Sequence, residues 1–334
     1  MKRAVVTGGG GFVGKAIVYL LKVRGIGVGV VGRNEYRDLA DDGVMVHRGD
    51  IRDRDFLNKA LAGYDTVFHV AAKAGIWGAA KEYRTINLDG TRNVMAACRV
   101  NGIGVLVHTS TPSVVFAGQN IEGGDESLPY SERFLCRYAE TKAQAEREIL
   151  VANSPGFLTV ALRPHLVWGP GDTNLIPRLV ERGRKGLLRQ VGNGANRVDI
   201  SYIDNVAEAH LLAADNLHST ATAAGKPYFI SQGEPVNLWQ WINEFLALVQ
   251  VEPVVKKMGE RRAWWIGATL ELLYQLCQIK REPLMTRFLA EQLAHSHWFS
   301  IEAAKRDFNY SPRISIAQGM ERTASWLTSS SGSV

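Results

Sequence analysis

The chain is poor in cysteine. Cys98, Cys136 and Cys277 are far apart and form no C-x-x-C pair, so neither a disulfide framework nor a zinc site is expected. Reduced thiols fit a cytoplasmic setting. No apolar run reaches the length of a membrane-spanning helix. Met1-Lys2-Arg3 leads straight into an apolar strand, without a secretory pattern. Extremes of charge are missing too. A net charge of +6 over 334 residues is mild, and without a basic stripe interleaved with aromatics it does not point to nucleic acid. No internal repeat is visible. With 46% hydrophobic and 22% charged residues, what remains is an ordinary soluble chain of one large or two moderate domains.

Glycine, by contrast, is concentrated where it matters. Thr7-Gly8-Gly9-Gly10-Gly11-Phe12-Val13-Gly14 follows the apolar run Ala4-Val5-Val6 and precedes Lys15–Leu21, whose apolar residues have helical spacing. A strand, a glycine turn and a helix gather backbone N–H groups and a positive helix end at one point, which suits a phosphate. Two motifs compete. Gly9 to Lys15 fits G-x-x-x-x-G-K, but Ala16 lacks the hydroxyl that would ligand Mg²⁺. Gly9, Gly11 and Gly14 fit G-x-G-x-x-G, and Gly8, Gly11 and Gly14 fit T-G-x-x-G-x-x-G. The dinucleotide reading is preferred.

Further strands are expected at Gly27–Val31, Val44–His47, Tyr64–Ala72, Gly104–His108, Thr159–Leu162, Val198–Tyr202 and Tyr228–Ile230. Helices fall between them, around Ile86–Val100, over Thr141–Val151 and after Asp204. This alternation predicts a doubly wound, Rossmann-type parallel sheet with its ligand at the carboxyl ends of the strands. Gly123-Gly124-Asp125-Glu126 reads as an exposed loop, and Ile176–Leu188 as a basic helix. The expected division is a dinucleotide-binding domain over 1–172, with 196–235 returning to it. A smaller, mainly helical substrate-binding region covers 173–195 and 236–325, and 326–334 is a flexible tail. After the second strand stands Gly32-Arg33-Asn34-Glu35-Tyr36-Arg37. Arg33 and Arg37 at an uncharged strand end favour the 2′-phosphate of NADP(H), while Glu35 keeps NAD(H) open.

The chemistry comes from Tyr138 and Lys142, four residues apart and so on one helix face, with Thr111 at a hydroxyl-rich strand end. Tyr138 would give its phenolic proton to a carbonyl oxygen. Lys142 would pull the phenol down from its usual value near 10 and bond the nicotinamide ribose. Thr111 would position the carbonyl. His295-Ser296-His297 is a poor metal site, with no further ligand nearby, and His69 and His108 read as hydrogen-bonded core histidines. Arg261–Tyr274, a basic flank followed by tryptophans and leucines, reads either as a membrane-interface or lid helix, or as a core helix of a cap.

Together the motifs resemble the extended short-chain dehydrogenase/reductases, from Lys2 to about Ile316. They are Thr7-Gly8-x-x-Gly11-x-x-Gly14, Asp50-Ile51, His69-x-Ala71-Ala72, Asn87-x-x-Gly90-Thr91, Thr109-Ser110-Thr111, Tyr138-x-x-x-Lys142, Arg163-Pro164 and Tyr202-x-Asp204-Asn205-Val206. The resemblance implies Asp50 and Ile51 at the adenine, Ala71 and Lys73 near the ribose and phosphates, and Arg163-Pro164-His165 beside the nicotinamide. It also implies a homodimer through the helices bearing Asn87 and Tyr138. Thr111 stands where serine is usual, and Val115-Phe116 replaces a frequent Tyr-Gly. Within that family the chain looks like the 3β-hydroxysteroid dehydrogenase-like branch, through Ala71–Gly78, Ser110–Val114, Trp168–Asp172 and Met285–Leu289. More narrowly it resembles the bacterial reductases of 2-alkyl-3-oxoalkanoates in long-chain olefin synthesis. That implies NADPH-dependent ketone reduction on a lipid-like substrate, with possible association with other pathway enzymes. Competing expectations are a sterol 3β-dehydrogenase, decarboxylating or not, a nucleotide-sugar epimerase with Arg178, Arg182 and Lys185 on a diphosphate, and a non-catalytic dinucleotide sensor.

Overall fold

The computed structural model describes residues 1–331. Its central sheet is built from β1 (Arg3–Thr7), β2 (Gly27–Gly32), β3 (Met45–Arg48), β4 (Thr66–His69), β5 (Val105–Thr109), β6 (Leu158–Pro164) and β7 (Lys226–Ile230). The order is β7-β6-β5-β4-β1-β2-β3, with every pairing parallel. Strand order reverses between β1 and β4, so a crevice opens beyond Thr7 and His69, where such sheets bind ligands.

Both faces of the sheet are covered, and the strands show it. Ala4 and Val6 of β1 enter one apolar cluster while Val5 enters the other. Val105 and Val107 of β5 part from Leu106 in the same way. Burial on both faces explains why these strands read as continuous apolar runs. One face packs on α1 (Phe12–Val23), through Ile17, Val18 and Leu21. The other packs on α2 (Gly90–Val100), through Val94, Met95 and Ala97, and receives Ile149 from α3 (Arg137–Val151). Helix α4 (Ile203–Leu217) joins α1 in the first cluster.

A third apolar cluster lies beyond the sheet. Trp168, fully buried, meets Tyr202 and Trp241 edge-on, each ring centroid 5.4 Å away. Helix α5 (Leu238–Leu248) adds Trp239, Ile242 and Phe245. Around it run α6 (Glu260–Leu276), α7 (Arg287–Ala294) and α8 (Ile316–Ser331). A four-stranded sheet of two- to four-residue strands ties this region to the rest, in the order Val236–Asn237, Arg197–Val198, His297–Phe299, Ile121–Gly124.

Three expectations are corrected. Gly123-Gly124 is strand, not loop, because Ile121–Gly124 pairs with His297–Phe299 from almost 180 residues away. The basic helix stops at Arg184, where Gly186 turns into left-handed backbone at φ 60. The tail from 326 is helical as far as Ser331, since Met320, Ala324 and Leu327 dock α8 on the third cluster. Residues 332–334 of that expected tail lie outside the described residues.

Candidate active site

At the end of β1, Gly8 adopts φ 70, and a Cβ there would stand 2.9 Å from the Ala71 backbone. A Cβ on Gly14 would collide with the Gly8 carbonyl. The turn therefore tolerates only glycine at these two positions, and it holds β1, β4 and α1 close together. No side chain caps the start of α1 and its first turn holds no acidic residue. Three other helix starts carry caps, from Asp53, Asn237 and Thr286. The uncapped N–H groups of α1 are a donor set for an anion. This cradle fits the phosphates of a dinucleotide. Lys15 does not reach back to it and pairs instead with Asp38 at 2.6 Å, which leaves the competing Mg-nucleotide motif without its lysine.

The rim where a ribose and adenine would lie is highly charged. Glu35 is engaged by Arg37 at 3.2 Å and by Arg48 at 3.1 Å. Arg33 remains exposed, its charge felt by Asp50. Asp50 itself is held by Arg52 at 2.6 Å, which keeps its carboxyl below the usual range. Ile51 packs under Gly90, and its carbonyl accepts from Asn93. Tyr36, at φ 44, lays its ring on Gly10 and Gly32. Lys73 pairs with Glu82 at 3.0 Å over the Tyr83 ring.

A chain of buried polar groups runs beneath the crevice. The Thr91 hydroxyl donates to the Asn87 carbonyl (2.6 Å), so it accepts from His69 Nε2–H (2.8 Å). His69 Nδ1 then accepts from Thr7 Oγ1–H (2.8 Å), and Thr7 Oγ1 in turn accepts the Ala71 N–H (3.3 Å). His69 is thus a satisfied core histidine, and burial drops it to about 3. Asn87 stands in a π-helical turn, Arg84–Asp89, a feature frequent at functional sites. Its Oδ1 accepts the Lys73 N–H (2.7 Å), and its Nδ2 donates to the Lys73 carbonyl (3.2 Å) and to Thr141 Oγ1 (3.1 Å). The loop after β4, which carries Ala71, Ala72 and Lys73, is thereby fastened to α3.

Helix α3 brings Tyr138 and Lys142 to the same edge. Lys142 is buried, and its ammonium donates to the Thr109 carbonyl (2.6 Å) and to His108 Nε2 (3.0 Å). Burial brings it down to about 7, with the Glu146 carboxylate opposing the fall. His108, also buried, keeps Nδ1 without a partner, as does Ser110 Oγ beside it. Thr111 caps the turn Pro112–Val114 by accepting the Ser113 N–H at 3.2 Å. Tyr138 is half-buried among Phe116, Cys136 and Phe288. Burial pushes its phenol up to about 12, with the neighbouring Thr111 hydroxyl opposing the rise. Two of the three hydrogens of the Lys142 ammonium go to His108 and Thr109, and desolvation decides the direction at the phenol.

Arg163 does not reach the crevice. It is buried against Glu146, with Nη2 to Oε1 at 2.6 Å, beneath the Tyr130 and Phe229 rings. Pro164 ends β6 and His165 follows it. His297 Nε2–H donates to the Gln292 carbonyl (2.8 Å), so its Nδ1 accepts from His165 Nε2–H (2.6 Å). Burial keeps both rings neutral. His165 Nδ1 is left as a lone pair. His295 turns elsewhere, to the Glu291 carbonyl and Glu260, so the two histidines of His295-Ser296-His297 share no ligand position.

The sequence reading missed His108 as the partner of Lys142 and Glu146 as the charge behind it. Glu146 stands four residues after Lys142 on a buried face, and that spacing was the available signal.

A family model described as the 3-beta hydroxysteroid dehydrogenase/isomerase family matches residues 5–255. The chain is 50% identical to the 2-alkyl-3-oxoalkanoate reductase of Stenotrophomonas maltophilia, over 96% of this chain and 98% of that one. It is 47% identical to the 2-alkyl-3-oxoalkanoate reductase of Shewanella oneidensis, over 96% and 85%. The solved structure of gox2253 superimposes with a TM-score of 0.80 at 24% identity, covering 99% of both chains, a likeness of fold.

Proposed function

The chain belongs to the 3-beta hydroxysteroid dehydrogenase/isomerase family, and from that premise we propose that it reduces the ketone of a 2-alkyl-3-oxoalkanoate to the 3-hydroxy acid, using NADPH. The observation that carries the reading is the Tyr138 and Lys142 face of α3 at the carboxyl end of β5, where Lys142 bonds the Thr109 carbonyl two residues before Thr111, together with the uncapped start of α1 after β1 of the same sheet. Gly8, Gly11, Phe12, Val13 and Gly14 would hold the pyrophosphate, with Ala71, Ala72 and Lys73 opposite and Pro164 and His165 at the far end. The dinucleotide, when bound, supplies the hydride. Tyr138 donates its proton to the ketone oxygen, a task suited to a phenol that stays protonated at neutral pH. Thr111 Oγ1 orients that oxygen. The Lys142 ammonium steadies the phenolate left behind and holds the ribose.

Two ion pairs support NADPH over NADH. Glu35, the carboxylate able to take a ribose 2′-hydroxyl, is already bound by Arg37 and Arg48, whereas Arg33 stays exposed for a 2′-phosphate. The diphosphate of a nucleotide sugar finds less support, because Arg178 pairs with Glu282 and Lys185 with Glu181. We assign 1–172 and 196–235 to the dinucleotide half and 173–195 with 236–325 to substrate binding.

The test follows nicotinamide absorbance with NADPH and NADH against a synthetic 2-alkyl-3-oxoalkanoic acid. Turnover faster with NADPH and lost in Tyr138→Phe is expected. Tight NADPH binding without turnover would overturn the substrate, and a 3β-hydroxysterol would then be tried in the oxidative direction. Equal affinity for the two cofactors would overturn the role of Arg33.

A further inference from the structure

Helix α6 is amphipathic the wrong way round. Its buried positions are Ala263, Gly267 and Glu271, a stripe of small or charged residues at a spacing of four. A Cβ on Gly267 would stand 2.5 Å from the Thr286 carbonyl carbon, so α6 lies flush against the start of α7. Glu271 completes the joint by accepting the Arg287 N–H (2.7 Å) and its guanidinium (2.7 Å). The large apolar side chains point away. Trp265, Leu272 and Leu276 fall at i, i+7 and i+11, on one helix face, and are 67%, 57% and 71% exposed. Ile279 and Leu284 extend that surface past the helix end. The ridge is about 25 Å long, for 17 residues at 1.5 Å each.

Charge brackets this ridge with one sign. Lys256, Lys257, Arg261 and Arg262 stand exposed at one end and Lys280 and Arg281 at the other. The acidic residues of α6 and the segment after it are turned to other partners: Glu260 to His295, Glu271 to Arg287 and Glu282 to Arg178. The ridge also backs onto the candidate active site. Tyr274 meets the Trp77 ring at 6.1 Å, and Trp77 Nε1 donates to the Ile279 carbonyl (3.1 Å). Trp77 belongs to the loop whose Lys73 is fastened by Asn87.

We propose that α6 and the segment after it form a docking face for an anionic lipid bilayer, with α6 lying in the plane of the interface. An exposed tryptophan and leucines between cationic flanks match the chemistry of such a surface, apolar at the acyl boundary and negative at the headgroups. The face would set the loop around Trp77 against the membrane. The inference goes beyond the proposed reaction and does not depend on it, because its test measures no turnover.

The test is co-sedimentation of the full chain with vesicles of phosphatidylglycerol mixed with phosphatidylcholine, and with phosphatidylcholine alone. Binding to the anionic vesicles is expected, weakened at about 0.5 M salt, where screening shortens the reach of the cations. Trp265→Ser/Leu272→Ser/Leu276→Ser should lower the bound fraction at least tenfold. Lys280→Glu/Arg281→Glu should remove the preference for anionic vesicles with the apolar face intact, which keeps the proposal open to refutation even if the triple variant folds poorly. Absence of wild-type binding to anionic vesicles, or binding unchanged in both variants, would overturn it. So would self-association of the wild type abolished by the triple variant without vesicle binding, since the ridge would then be a contact between copies.

Discussion

Helices α3 and α6 are close in length, 15 and 17 residues, and each breaks the usual rule of burial in the opposite direction. Helix α3 buries Lys142 and Glu146, whereas α6 exposes Trp265, Leu272 and Leu276. A buried charge costs stability unless it is paired, and it persists where it has work to do. An exposed apolar stripe costs solubility and persists where something meets it. The two helices teach that the fold's departures from ordinary patterning mark its working surfaces. One turns its charges inward to the carboxyl end of β5, and the other turns its apolar side chains outward.

The comparison can be broken most forcefully at Tyr138. If the inward helix carries the chemistry, Tyr138→Phe should lower kcat about 10²–10⁴-fold while NADPH still quenches tryptophan fluorescence with similar affinity. Next comes the pair behind it. Glu146→Gln leaves the Arg163 guanidinium buried without a countercharge, and a loss of about 3–5 kcal/mol is expected by chemical denaturation. A change near zero would mean that water reaches Arg163.

His108 offers a finer test. As a neutral acceptor it favours the ammonium of Lys142, which burial has brought to about 7. Activity in the reductive direction should therefore fall as pH rises through about 7, where the ammonium is lost. His108→Leu removes the acceptor, lowers the Lys142 value further and moves that falling limb to lower pH. Each unit of displacement costs about tenfold in rate above the limb. His108→Gln, which restores an acceptor oxygen, should move it back. A purely structural role would lower the rate at every pH and leave the limb in place. The smallest effect belongs to the outward helix. Leu272→Ser or Leu276→Ser should alter unfolding free energy by no more than about 0.5 kcal/mol, since neither side chain packs. A larger loss would show that α6 buries this face within the chain itself.

Much of the inward half was legible because its signals are local. Gly8 and Gly14 are demanded by contacts within one turn and its neighbouring strand end, and Tyr138 and Lys142 share one helix. The parallel sheet followed from apolar runs alternating with amphipathic helices. What escaped was non-local. His108 bonds Lys142 across 34 residues, and His165 bonds His297 across 132. No window of sequence contains either pair. The strand at Gly123-Gly124 was hidden for the same reason, since its partner comes from near the chain's end. The bonds of Lys142 were hidden as well, because a spacing of four residues says who shares a face, not where an ammonium's hydrogens go. The stretch Arg261–Tyr274 was legible in composition but not in orientation, since periodicity cannot tell an inward apolar stripe from an outward one.

Asn87 has a consequence of another kind. Its amide nitrogen gives both hydrogens, one to a loop carbonyl and one to a threonine on α3, while its oxygen takes the loop's N–H. Such a residue has no harmless neighbour in sequence space. Aspartate, differing by one atom, turns two donors into acceptors that face a carbonyl and a hydroxyl already committed elsewhere. Glutamine overshoots by one bond, and serine falls short of both partners. Many positions in this chain can drift by single substitutions under selection, but this one can move only if the loop and the helix are rebuilt together.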